Sequence, residues 1–218
     1  MPITTCVFDA YGTLLDVAAA ARRAAAEPAA DSGADPVAVR LGEVWPRLAE
    51  DWRRKQLEYT WLRAITGAHA DFWRVTQDGL DWALEAAGLA GDAALRARLL
   101  ALYRRLDAYP EVPACLSALR AAGWRCAILS NGAPDMLAEA AGSAGIAGQL
   151  DALLSVEEVG IYKPAAPVYG LVEARLGVPP AQVVFVSANG WDAAGGAGFG
   201  FETVWVNRTG APAERLPW

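Results

Sequence analysis

The sequence predicts an α/β fold: a Rossmann-like parallel sheet core with an inserted, all-helical cap subdomain. Three observations lead there. Short apolar, β-branched runs recur along the chain, helix-like stretches alternate with them, and one long interval carries only helical spacing. The first run, residues 3–8, reads as a buried strand. Four later runs resemble it, at 125–129, 152–155, 183–186 and 203–206. Helix-like stretches such as 113–122 and 167–176 lie between them, and strands alternating with helices imply a parallel sheet covered on both faces.

The alternation breaks once. From Asp16 to Pro110 no convincing strand is found, whereas 45–65, 71–87 and 93–106 have helical periodicity. Gly33-Ala34-Asp35-Pro36 reads as a loop inside this block. The expected division is therefore a core of residues 1–15 and 111–218 and a helical subdomain of residues 16–110.

Composition narrows the function classes. The 218 residues are 54% apolar, which argues against general disorder. No apolar run approaches the roughly 20 residues that span a bilayer. The N-terminus lacks the basic region and apolar stretch of a signal peptide, so the expected setting is soluble and cytoplasmic, without a membrane partner. A net charge of −6 argues against nucleic-acid partners. Cys6, Cys115 and Cys126 are widely spaced and read as small apolar residues. His69 is the sole histidine, so a zinc site with several histidines is ruled out. Of 19 Lys and Arg residues, only Lys55 and Lys163 are lysines.

The first helix of the block singles out one cation. Four-residue spacing offers Arg54 the acids Glu50 and Glu58, and Lys55 the acid Asp51. Arg53 has Ala49 and Leu57 at that spacing and no acid. A cation among apolar side chains needs an anion from elsewhere or snorkels to water.

Ligands of parallel sheets bind beyond the carboxyl ends of the strands. Those ends carry Asp9, then Ser130-Asn131, then Ser187, Asn189 and Asp192, with Lys163 in the loop after the 152–155 strand. Any one of these is ordinary turn chemistry. Together they place two carboxylates, a lysine and several small donors at one edge.

Phe8-Asp9-Ala10-Tyr11-Gly12-Thr13-Leu14 resembles motif one of the haloacid dehalogenase superfamily. Ile128-Leu129-Ser130-Asn131-Gly132 resembles motif two, Tyr162-Lys163-Pro164 motif three, and Ser187-Ala188-Asn189-Gly190-Trp191-Asp192 motif four. All four stand in the family's order, and the helical block occupies the place of its cap. Phosphatases of the superfamily carry a second Asp two residues after the nucleophile; here that position is Tyr11, which cannot do the same acid work near neutral pH. Ser187, Ala188 and Asn189 precede Asp192 where the phosphatases place acidic metal ligands, so no metal and no other cofactor is expected. These departures, with Trp52-Arg53-Arg54-Lys55-Gln56-Leu57-Glu58-Tyr59-Thr60-Trp61-Leu62, resemble the L-2-haloacid dehalogenase branch.

That resemblance implies hydrolysis of short L-2-haloalkanoates to D-2-hydroxy acids with inversion. Asp9 is the implied nucleophile, forming an ester that water activated by Asp192 then hydrolyses. Lys163 is implied to hold Asp9 charged, Thr13 and Ser187 to donate to Asp9, and Asn189 to position Asp192 or the water. Arg53 and Asn131 would face the departing halide, and Ser130 with nearby backbone N–H groups the substrate carboxylate. Ala10, Tyr11, Leu57, Phe72, Tyr169 and Trp191 complete the implied substrate pocket, and His69 is an incidental cap residue. The resemblance implies a homodimer. Motif four has Ala188 where the branch often has Ser, and the chain ends at Trp218, where the branch continues through a further segment and helix. Two rivals stand beside this reading: a phosphatase on the same fold, and a non-catalytic binding protein.

Overall fold

The computed structural model of the chain describes residues 2–17 and 36–218. Five strands form one parallel sheet: β1 (Thr5–Phe8), β4 (Arg125–Ser130), β5 (Ala152–Ser155), β6 (Val183–Ser187) and β7 (Glu202–Trp205). The gap in numbering is filled by β2 (Leu15–Asp16) and β3 (Asp107–Ala108), an antiparallel ribbon of two residues each. The sheet order is β5-β4-β1-β6-β7. β1 is thus central, pairing with β4 on one side and β6 on the other, so that Cys6 lies between Cys126 and Val184. All four of its residues are buried, as a strand covered on both faces requires.

The order reverses at β1, and the crevice at that reversal lies at its carboxyl end, beside those of β4 and β6. Asp9, Ser130 and Ser187 end or follow these strands. The five expected sheet strands are all present, with ends moved by two residues or fewer. β3 departs from the strand-free reading of 16–110: two residues are too few to leave a periodic signal, and Asp107 and Ala108 form a ladder with Asp16 and Leu15.

Among the described residues, three helices lie in the interval between the ribbon strands: α1 (Pro36–Thr66), α2 (Phe72–Ala86) and α3 (Ala93–Arg104). α1 begins nine residues before the expected Trp45, and residues 33–35 of the expected loop lie outside the described residues. Asp71 caps α2 by accepting from the Arg74 N–H at 2.8 Å, and Asp92 caps α3 by accepting from Leu95 at 2.9 Å. The buried face of α2 follows helical spacing through Phe72, Val75, Thr76, Gly79, Leu80, Ala83 and Leu84. Gly79 permits its close crossing with α1, since a Cβ there would lie 3.2 Å from the Gln56 nitrogen.

Four further helices flank the sheet: α4 (Val112–Ala121), α5 (Pro134–Ser143), α6 (Ala166–Leu176) and α7 (Gly190–Phe199). The helical block is tied to this core by several polar contacts. Arg104 reaches Asp135 and Glu139 of α5, each at 3.0 Å. His69 lies 2.8 Å from Glu157, which also accepts from the Phe72 N–H at 3.1 Å. His69 is therefore a bridge from the α1–α2 turn to the core, a role its sequence neighbourhood does not reveal. Tyr162 donates to the Ala70 carbonyl beside it.

Candidate active site

Asp9 leaves the end of β1 almost completely buried, at 7% exposure. Both carboxylate oxygens are engaged. Lys163 Nζ donates to Oδ1 at 3.2 Å, while Thr13 Oγ1 and Asn189 Nδ2 donate to Oδ2 at 2.9 and 3.0 Å. The turn after Asp9 brings Thr13 back, because the Ala10 carbonyl accepts from the N–H groups of Thr13, Leu14 and Leu15. Thr13 Oγ1 in turn accepts from the Ala188 N–H at 2.8 Å, which joins motif one to motif four.

Asp192 lies in the first turn of α7 and is fully buried. Its Oδ2 accepts from Lys163 at 2.9 Å and from Ser187 at 2.9 Å; its Oδ1 accepts from the Tyr169 hydroxyl at 2.8 Å. One ammonium thus lies between two carboxylates. Burial pushes the Asp192 carboxyl above its ordinary range; the Lys163 charge opposes this and the Asp9 charge adds to it. Burial also disfavours the Lys163 ammonium, but the two carboxylates together outweigh burial and hold its pKa above the usual lysine value. Burial and the neighbouring Asp192 raise the Tyr169 phenol, so it stays a neutral donor.

A small cleft, with a cavity volume of only about 10 Å³, opens on Asp9. Arg53 and Leu57 of α1 and Phe72 of α2 line its helical side; Tyr11, Ser130, Asn131, Lys163, Asn189 and Trp191 line its sheet side. Trp61 meets Trp191 edge-on at 5.4 Å. Asn131 Oδ1 accepts from the Lys163 N–H at 3.1 Å, which turns its amide N–H₂ away from that contact. Ser130 Oγ accepts from Gly132 at 3.0 Å, leaving its hydroxyl proton for another acceptor. Arg53 sends Nη1 to Gln56 at 2.9 Å and Nη2 toward Asn189 Oδ1 at 3.4 Å, and among the described residues no carboxylate pairs with it. Its neighbour Arg54 pairs with Asp51 at 2.8 Å and Glu58 at 3.5 Å, while Lys55 takes Glu58 instead of Asp51.

Several expected roles change. Ser187 donates to Asp192, not to Asp9, because it points along the sheet toward the first turn of α7. Asn189 holds Asp9, not Asp192. Tyr169 does not line the cavity: it is fully buried behind Asp192 as its donor. Ala10 is fully buried and contributes its carbonyl to the turn, not a cavity wall. Gln56 and Tyr103 escaped the sequence reading; a search for acids four residues away overlooks a neutral amide three residues away. Among the described residues no three His, Cys, Asp or Glu side chains cluster as a metal site.

The model of the haloacid dehalogenase-like hydrolase family matches residues 3–200. The chain belongs to that family. Among its relatives, (S)-2-haloacid dehalogenase 1 of Pseudomonas sp. (strain CBS-3) is 45% identical over 98% of this chain and 88% of its own length. (S)-2-haloacid dehalogenase 4A of Burkholderia cepacia is 42% identical over 97% and 86%. Among solved structures, L-2-haloacid dehalogenase from Xanthobacter autotrophicus with chloropropionic acid covalently bound superposes with a TM-score of 0.81, at 42% identity over 94% of this chain and 78% of that one. The family match covers all four motifs and the helical block between the first two.

Proposed function

We propose that this chain is an (S)-2-haloacid dehalogenase, hydrolysing short L-2-haloalkanoates to D-2-hydroxy acids with inversion and without a metal. The observation that carries the reading is the opposition of Asp9 and Arg53 across one cavity, with Tyr11 where an acid would serve phosphate chemistry. The relatives named above, acting on haloacids by name, support it.

In this reading an Asp9 oxygen attacks C2 as the carbon–halogen bond breaks. The halide leaves with the bonding pair toward Arg53 and the Asn131 amide. Lys163, Thr13 and Asn189 hold the attacking carboxylate. Ser130 and adjacent N–H groups hold the substrate carboxylate, and Leu57, Phe72, Tyr11 and Trp191 exclude water from the reacting carbon. Asp192 then takes a proton from water as that water attacks the carbonyl carbon of the Asp9 ester. Collapse expels the hydroxy-acid oxygen, which recovers the proton, and Asp9 keeps one oxygen from water. Ser187 and Tyr169 orient Asp192.

The reading includes residues 1–15 and 111–218 as the core, residues 16–110 as a cap over it, and a cytoplasmic homodimer. The division is supported by the helices standing over the strand ends, and by resemblance; the dimer and the compartment are supported by resemblance and composition. No described helix is long and apolar enough to cross a membrane.

One turnover in ¹⁸O-water with excess enzyme and L-2-chloropropionate tests the reading. Label enters Asp9 before product. Label found only in the hydroxy acid would mean that water attacks C2. Phosphate release that needs Mg²⁺, with no halide release in chelator, would point to the phosphatase rival.

A further inference from the structure

Arg53 does not stand alone. Its Nη1 donates to Gln56 Oε1 at 2.9 Å, and the same oxygen accepts the Tyr103 hydroxyl at 3.0 Å. Gln56 is fully buried. Its amide orientation follows from the hydrogen bonds around it. Thr76 gives its one hydroxyl proton to the Phe72 carbonyl at 2.7 Å, so toward Gln56 Nε2, 2.8 Å away, it can only accept. The N–H₂ must face Thr76, and the carbonyl oxygen must face Arg53. A backbone carbonyl of α2 therefore dictates, through two side chains, that an acceptor meets the guanidinium. The close crossing at Gly79 is what lets Gln56 reach Thr76.

The identity of that acceptor has a chemical consequence. It is neutral. A carboxylate in its place would orient Arg53 equally well but would compensate the charge that a departing halide needs. We propose that Gln56 is a positioning residue for carbon–halogen cleavage: with Tyr103, it holds Arg53 as an oriented, uncompensated cation facing the leaving group. This rests on the reading of Arg53 as the group that receives halide.

Gln56→Met removes the acceptor at similar volume, and Gln56→Glu keeps the acceptor but adds charge. Single turnovers with 2-chloro- and 2-bromopropionate resolve ester formation from ester hydrolysis. In both variants ester formation slows by about 10- to 100-fold. Chloride suffers more than bromide, so the bromide-to-chloride rate ratio rises several-fold. Hydrolysis of the ester keeps its wild-type rate. A purely structural role slows both halides and both steps together, with the ratio unchanged, and that result overturns the proposal. Should Gln56→Met not fold, the near-isosteric Gln56→Glu carries the same comparison. Arg53→Lys separates the two failures: a ratio unchanged there as well means that Arg53 is not the halide group, whereas a ratio raised there but not in the Gln56 variants rejects the positioning role alone.

Discussion

Lys163→Met tests how the site holds two acids together. The lysine is 1% exposed, and its ammonium lies 3.2 Å from Asp9 and 2.9 Å from Asp192. At an effective dielectric of about 20, each such contact is worth about 5 kcal/mol before desolvation is counted. Removing the cation leaves two buried carboxylates facing an apolar stem, and loss of one partner from a buried ionic group costs about 3–5 kcal/mol. The loss depends on pH in a defined direction. Lys163 is among the influences holding the Asp192 pKa down, so in the variant that pKa rises further. The destabilisation is full above the new Asp192 pKa and is relieved as pH falls below it, where Asp192 takes a proton. Urea denaturation of both proteins, near neutral pH and again at mildly acid pH, reads this out. Halide release from 2-chloropropionate in the same samples should fall by about a hundredfold or more. A variant within about 1 kcal/mol of wild type near neutral pH, or a loss that is the same at both pH values, would refute the reasoning.

Three further outcomes are expected. Asp192→Asn should form the ester and fail to hydrolyse it, so that intact-protein mass spectrometry finds a stable adduct on Asp9; an unmodified protein after incubation with substrate would contradict the role. Tyr169→Phe removes a donor that lowers the Asp192 pKa, so the acid limb of ester hydrolysis should move to higher pH, with a stability loss of about 1–3 kcal/mol for the unsatisfied acceptor; an unmoved limb in the pH–rate profile would count against Asp192 as the base. Gly132→Ala would place a Cβ 2.8 Å from the Tyr11 ring and 2.9 Å from Leu137, and should cost about 1–3 kcal/mol in thermal or urea unfolding; a variant as stable as wild type would show that Tyr11 yields freely.

The parallel sheet was legible because each buried strand is a short apolar run, and Asp9, Ser130 and Ser187 were legible because strand ends are where such sheets bind ligands. Lys163 stood out by scarcity and Arg53 by its lack of a helical acid. What stayed hidden depended on distance in three dimensions. The choice of Ser187 between Asp9 and Asp192 turns on a few ångströms at the start of α7. Tyr169 reads as a member of the substrate pocket until α6 is laid behind Asp192. The link from Gln56 to Thr76 needs the α1–α2 crossing, which periodicity does not encode. β3 is too short for any pattern, and the partner of His69 is 88 residues away.

Asn189 works as a spacer between the two ends of the proposed reaction. Its N–H₂ touches Asp9 at 3.0 Å and its oxygen faces Arg53 at 3.4 Å. An amide measures about 2.3 Å from oxygen to nitrogen, so the nucleophilic oxygen and the guanidinium lie no more than about 9 Å apart. An in-line displacement needs an attacking oxygen at about 3–3.5 Å, one carbon–halogen bond and one halide contact, about 8 Å in total. One small side chain therefore caps the distance between the carboxylate and the guanidinium, so a substrate that reacts between them must be short.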